Sequence, residues 1–301
     1  MKAIFHNDDF GLTYGFTDAI KDSFQNGVTT STSLRTNGFA YKYAVKLSKG
    51  PLRKIGLGLH VNITQGKAHT KGEVEKFGVY KYNFRKLFLK LFVMNLLKMK
   101  QGVLLKDLER EIEAQFVIVL KKDKLKISRV DGHDHIHMIP EVFHIVCKLC
   151  KKYNIGYIRI PREPFYFTGF LKQDLKMIFS DNLLKALILT ILSAVNIKIA
   201  KSYKLKTVDA YYGLLNSNNM SFLAINAALL NASRNNYDTI EINSHPAIIN
   251  DPRDVNYVDN FISKYANLNT REIEHLGLKS QLVKKTIKKY KIKLTNCENI
   301  I

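Results

Sequence analysis

The chain has 301 residues, 46% of them hydrophobic, with only 6 prolines and 16 glycines, which allows a sizeable core and excludes a collagen-like, low-complexity or linker-dominated protein. Three cysteines (Cys147, Cys150 and Cys297) are too few for a disulfide framework and point to a reducing, cytoplasmic setting. A formal charge of +21 would suit an acidic partner, but the lysines are scattered or sit at helix ends, as in LVKKTIKKYKIK (282–293), with no arginine-rich run, so no specific nucleic-acid partner is expected.

The opening MKAIFHNDDF lacks the long apolar stretch of a signal peptide. KAIFHN (2–7) reads as a strand and is followed by a helical pattern over 17–27. VTTSTSLRT (28–36) is a second strand, followed by a helix, and KIGLGLHVNI (54–63) a third. A long helix over 105–122 precedes KISRVDGH (126–133). Helix EVFHIVCKLCKKYN leads into IGYIRIPRE (155–163). KTVDAYYG (206–213), a helix from Met220 and DTIEINSHP (238–246) follow, and helices fill 269–293. Cys147 and Cys150 fall at helical spacing on an apolar face, so packing is expected of them, not metal or redox chemistry.

About seven strands alternating with helices predict parallel strands with right-handed crossovers. No G-x-G-x-x-G follows the first strand, so a closed or nearly closed barrel fits better than a dinucleotide-binding sheet. One domain over 1–301 is expected, with insertions at about 68–104 and 164–205 that could form a lid or a homo-oligomer contact. RKLFLKLFVMNLLKMK (85–100) and ALILTILSAV (186–195) lie in these insertions. The second run is too short to cross a bilayer. Both read as core-covering helices, with peripheral membrane association as the competing reading.

The polar residues that a strand would not need collect at strand ends. Asp8 and Asp9 follow the first strand, His60 the third and DGHDHIHM (131–138) the fourth. Arg159 and Arg162 follow the fifth, and His245 the seventh. Parallel strands in a barrel open all these ends on one face, where active sites form. A strand period of two places His133, His135 and His137 on one side. With His60 and an aspartate they make a metal site of two histidines and one carboxylate, and spacing alone does not choose between His133 and His135. A divalent ion would also explain the adjacent Asp8 and Asp9, one carboxylate ligating it and the other serving as general base toward a water that the ion activates. His245 could protonate a leaving nitrogen across the ion from that base. Arg159 could pair with a catalytic carboxylate or grip substrate. His6, His69, His144 and His275 have no partners in the pattern and read as structural.

HNDDFGLTYGFTDAI, NGVTTSTSLRTNG, GLGLHVNIT, RVDGHDHIHMIPEVF, YIRIPRE and IEINSHPA together resemble, in this order and over nearly the whole chain, the YdjC-like carbohydrate deacetylase family. That family includes chito-oligosaccharide deacetylases and a hopanoid-associated branch, and the stretch 164–205 followed by VDAYYGLLNSNNM is more similar to the latter. Relatives usually carry NADDFG where this chain has His6 and Asn7 before the pair. The resemblance implies a distorted TIM-like barrel related to polysaccharide deacetylases and metal-dependent removal of an N-acetyl group from a sugar. It implies Asp9, His60 and His133 as ligands, Asp8 as base, His245 as acid and Arg159 as an accessory residue. It also implies magnesium, although imidazole donors suit zinc or another transition ion. A hydrolase of another amide or ester, and a non-catalytic sugar-binding relative, are the rival readings.

Overall fold

A computed structural model describes residues 1–255 and 260–300. In chain order its elements are β1 (Lys2–Phe10), α1 (Tyr14–Asn26), β2 (Ser31–Leu34), α2 (Tyr41–Lys49), β3 (Gly56–Val61), β4 (Glu75–Lys76), β5 (Val79–Tyr80), α3 (Phe84–Leu96), α4 (Gly102–Val117), β6 (Arg129–Gly132), α5 (Pro140–Lys152), β7 (Tyr157–Ile158), α6 (Leu171–Ile178), α7 (Asp181–Ser202), β8 (Ala210–Tyr212), α8 (Phe222–Arg234), β9 (Thr239–Ser244), α9 (Asn260–Ala266), α10 (Thr270–Lys279), α11 (Gln281–Lys289) and β10 (Lys293–Leu294). Seven of the strands pair in parallel in the order β7-β6-β3-β2-β1-β9-β8, with short β10 beside β1. The sheet curls until its outer strands meet: Tyr157 and Lys206 form a parallel bridge, and Tyr211 N–H donates to the Arg162 carbonyl at 3.0 Å. This is the expected distorted TIM-like α/β barrel.

The strands owe their alternation to two different environments. Outward positions such as Ala3, Phe5, Leu57, Leu59, Ile240 and Ile242 pack into the helical layer and are buried. The positions between them are largely polar and equally buried: His6 and Asp8, Ser31 and Ser33, Arg129 and Asp131, Glu241 and Asn243. The barrel interior is therefore a hydrogen-bonded ionic core. Buried charges need partners at close range, and these strands supply them to one another. Gly58 makes room for one of them, since a Cβ there would stand 2.4 Å from Arg129 Cγ.

The insertions depart from the expected pattern in two ways. Segment 68–104 carries the antiparallel hairpin β4–β5 as well as helix α3. The apolar run 186–195 belongs to a 22-residue helix, α7, which by length and composition could cross a membrane, contrary to the expectation from the run alone. Cys147 and Cys150 are buried on α5 as free thiols, and burial pushes Cys147 up to about 12.

Candidate metal centre

Neighbouring side chains of a regular strand point to opposite faces, so Asp8 and Asp9 could not both enter the barrel from an ideal β1. The pairing of β1 with β2 shifts register between Asn7 and Phe10, and Asp9 takes φ +64. That left-handed backbone costs most residues about 1–2 kcal/mol but is one that aspartate tolerates. The irregularity turns Asp9 toward the side that His6 and Asp8 already face. Gly11, at φ +90, completes the turn where a side chain would be strained.

Asp9, His60 and His133 are buried and present ligand atoms that all lie within 4.8 Å of one another. Asp9 Oδ1 is 3.6 Å from His60 Nε2 and 3.3 Å from His133 Nδ1. His60 Nδ1 lies 2.6 Å from Asp131 Oδ1, a contact that makes Nδ1 the donor and leaves Nε2 as the open position. Nε2 is buried and has no hydrogen-bond partner among the described residues. A histidine locked by a carboxylate behind it, with its other nitrogen aimed at an aspartate, is a donor set suited to a divalent ion. Burial pushes His60 down, but Asp8, Asp131 and Asp9 outweigh it and its pKa rises. The cluster thus draws positive charge to this point, whether as a proton or as an ion. Asp9 is opposed by burial yet held well below the usual carboxylate range by His133, Arg35 and His60.

On the other side of the cleft Arg159 grips Asp8 with both guanidinium termini, at 2.9 Å to Oδ2 and 2.8 Å to Oδ1. Asn243 donates to Oδ2 at 3.0 Å, and His6 Nε2 is 3.2 Å from Oδ1. Burial alone would raise the Asp8 pKa, but Arg159, then His60, reverse this and hold it well below the usual range. Of the two roles expected for Arg159, pairing with a carboxylate matches its contacts, because the side chain is fully buried.

His245 Nε2 stands 3.5 Å from Asp8 Oδ2, close beside the expected base. β9 pairs directly with β1, which places the ends of these two strands side by side. Glu274 Oε2 accepts the His245 backbone N–H at 2.5 Å. Asp8, His60, His133 and His245 share one cleft with Tyr265, with a cavity volume of about 110 Å³.

Two readings of the histidines are corrected. The strand β6 ends at Gly132, and residues 133–138 form a 3-10 turn kinked at Asp134 (φ 51) and His135 (φ 55). The period of two therefore does not extend through HDHIH: His133 meets Asp9, whereas His137 Nε2 meets the Arg159 carbonyl at 3.0 Å. His6, for which no partner was expected, lies within 3.2 Å of Asp8 and 3.4 Å of Asp131, a second group that could hold an ion, and also meets Ser31 and Ser33 at 3.0 and 3.1 Å, contacts that suit the structural role expected of it. His69, His144 and His275 pair elsewhere, with Thr36, Tyr203 and Asp22. Arg162 is exposed and donates to the Asp209 carbonyl.

Several contributors escaped the sequence reading. Arg35 donates to Asp9 Oδ1 at 3.1 Å, and Tyr265 O–H to Asp9 Oδ2 at 3.1 Å. Arg129 joins Asp131 to Glu241, which also accepts from Arg159 at 2.7 Å. Each of Arg129, Asp131, Glu241 and Asn243 alternates with an apolar neighbour inside a strand, and that polar alternation is the signal by which they could have been found.

The model of the YdjC-like protein family matches residues 2–289. Among solved structures, one from Enterococcus faecalis V583, provisionally described as a cellobiose-phosphate cleavage protein, superposes with a TM-score of 0.71 over 99% of this chain and 98% of that one, at 20% identity. At that identity the likeness speaks for the fold. The family match spans nearly the entire sequence, and the chain belongs to the YdjC-like family.

Proposed function

We propose that the protein is a metal-dependent hydrolase that removes the N-acetyl group from an N-acetylated sugar or oligosaccharide. One observation carries this reading: Asp9, His60 and His133 converge within 4.8 Å, and the two histidines line the same cleft as Asp8 and His245. A divalent ion held by the three, magnesium by family resemblance or zinc by donor chemistry, would polarise the acyl oxygen and make a neighbouring water more acidic. Asp8 accepts a proton from the attacking water as the new C–O bond forms at the acyl carbon. His245 gives a proton to the sugar nitrogen as the C–N bond breaks, releasing acetate and a free amine. The cleft is small enough to admit an acyl group and water while the sugar ring stays at its mouth.

A second assignment of the proton steps is favoured by the grip of Arg159 on Asp8. A carboxylate held this firmly ionised is a weak base, and His245, 3.5 Å away, could carry both transfers while Asp8 orients it. The pH–rate profile of Asp8→Asn separates the two. Loss of about two to four orders of magnitude in kcat with disappearance of the acidic limb assigns the base to Asp8. Retention of that limb assigns it to His245.

One catalytic domain over 1–301, with segments 68–104 and 164–205 as insertions, belongs to the same reading, and three buried free thiols suit a cytoplasmic setting. The deciding experiment measures acetate release from N-acetylated sugars by metal-stripped and metal-refilled protein, beside other amides and esters. Turnover restored by an ion and confined to the N-acetyl sugars supports the proposal. Equal turnover of unrelated amides or esters would replace it with a broader hydrolase.

A further inference from the structure

His135 lines the metal cleft yet has no part in the reaction proposed for it. The side chain is 7% exposed and stands edge-on to Tyr211, with ring centroids 5.9 Å apart. Its Nδ1 is buried and has no hydrogen-bond partner among the described residues, a state that costs free energy and calls for a reason. The backbone is costly too: φ is +55, a conformation of the kind that collects at ligand sites. With Nδ1 closed off and unpaired, the ring proton belongs on Nε2, at the free end of the imidazole. His135 is then a neutral donor to whatever occupies the cleft.

A second donor faces the same space. Arg271 is fully buried, and its Nη2 donates to Asn218 Oδ1 at 2.9 Å. Arginine can only donate, so this contact fixes which way round the Asn218 amide sits. The oxygen is held by Arg271, and the two N–H groups are left for the cleft that Asn218 lines. The same guanidinium donates to the Tyr265 carbonyl at 3.2 Å, which ties Asn218 to another part of the cleft wall. Asp134 and Lys185 stand 4.0 Å apart in that wall, so it holds no unbalanced charge for an ionic substituent.

Two neutral donors call for a neutral acceptor oxygen. A cleft of about 110 Å³ holds an acyl group and the atoms directly beside it, so the oxygen lies close to the scissile amide. The deacetylase reading assigns the acyl oxygen to the ion and the nitrogen to His245. Inside a sugar chain the C1 oxygen is glycosidic, and the free oxygen that remains is the hydroxyl on C3. We propose that His135 Nε2–H and the Asn218 amide bind this C3 hydroxyl and make it a requirement for recognition. The proposal rests on the deacetylase reading for the identity of the neighbouring atoms.

The test uses the metal-loaded full chain and methyl N-methanesulfonyl-β-glucosaminide, whose sulfonamide resists hydrolysis, with its 3-deoxy and 6-deoxy derivatives. Affinities are read by ligand-observed NMR titration, and acetate release is followed with the corresponding N-acetyl sugars. Buried donors left unpaired should weaken the 3-deoxy compound at least about tenfold, and the 6-deoxy compound little. His135→Phe and Asn218→Asp should each bind the parent as weakly as wild type binds the 3-deoxy compound. They should bind the 3-deoxy compound as wild type does, and keep the wild-type circular dichroism and ion-induced rise in Tm. A merely structural role would weaken all three sugars alike. His135→Asn, which tolerates the left-handed backbone and keeps a donor, should recover part of the discrimination. The wild-type series tests the hydroxyl even where a variant fails to fold. Equal binding of parent and 3-deoxy compounds by wild type, a loss confined to the 6-deoxy compound, or no binding of any of the three overturns the proposal. So does acetate release that falls alike for both N-acetyl sugars in the variants with binding intact, which moves the donors to the acyl oxygen. The expected binding pattern without acetate release from any N-acetyl sugar keeps the C3 subsite and overturns the deacetylase.

Discussion

Arg159 and Asp8 form a two-pronged ion pair, 2.8 and 2.9 Å, inside the barrel and 151 residues apart in sequence. The same guanidinium donates to Glu241 through Nε at 2.7 Å. Arg159 is thus the post on which the position of Asp8 is fixed. Arg159→Lys keeps a charge but cannot span both oxygens and Glu241 together. Its expected signature is a fall in kcat of about tenfold or more with KM little changed. Arg159→Met, which leaves Asp8 without a guanidinium partner and Glu241 with Arg129 alone, should cost roughly 3–5 kcal/mol of stability in urea melts. Unchanged kcat in Arg159→Lys would show that Asp8 needs no such support.

Ion binding should be visible without substrate. A ligand that binds only the folded state stabilises it by about 2.7 kcal/mol at a hundredfold excess over Kd, which calorimetry reads as a rise in Tm on adding magnesium or zinc to metal-stripped protein. His133→Ala should abolish the rise, and Asp8→Asn should retain it. Asp131, bonded to His60 Nδ1 at 2.6 Å, orients that ligand from behind, and Asp131→Asn is expected to weaken ion binding by about 10–100-fold. A full Tm response in His133→Ala would remove His133 from the ligand set.

Arg35 gives a prediction of opposite sign. Its guanidinium is 3.1 Å from Asp9 Oδ1 and 3.5 Å from His133 Nδ1, so it shares the atoms an ion would use. Without metal it supplies the counter-charge of a buried carboxylate; with metal it competes. Arg35→Met is expected to lower the Tm of metal-stripped protein, by about 3 kcal/mol of stability, and to enlarge the rise produced by the ion. An ion-induced rise equal to or smaller than wild type would show that Arg35 and the ion do not compete.

How far the sequence reached this site depended on which residues broke a local rule. Asp8 and Asp9 were conspicuous because two adjacent charges at a strand end need an explanation, and His60 and His245 because they too fall at strand ends. Arg129, Asp131 and Glu241 were less so: taken singly, a charge beside a β-branched residue resembles the solvent-facing side of an edge strand. Only closure of the sheet turns that face inward. The order β7-β6-β3-β2-β1-β9-β8 is a long-range property, and so is the meeting of Arg159 with Asp8. The backbone at Asp9 and at Asp134–His135 was hidden for another reason. Positive φ at non-glycine residues is a local cost accepted where the surrounding structure dictates it, and HDHIH carries no glycine to announce its kink.

Glu241 ties the ionic core to the pH dependence of folding. Burial would raise its pKa, but Arg129 and Arg159, with His6, bring it down to about 2 from an ordinary 4.5. A carboxyl whose folded value lies below its unfolded one contributes fully above about pH 4.5. That contribution is lost as pH falls toward 2, because the unfolded chain takes up the proton first. At 1.36 kcal/mol per unit the change is roughly 3 kcal/mol for this group, and Asp8, Asp9 and Asp131 are shifted in the same direction. Urea melts should therefore show stability falling steeply below pH 5. Glu241→Gln should start lower at pH 7, since Arg129 and Arg159 lose a shared anion, and should fall less steeply on acidification because one titrating group is gone. The same steepness in both proteins would mean that Glu241 is not ionised in the fold, and the charge balance of the barrel interior would have to be redrawn around Asp8 and Asp131.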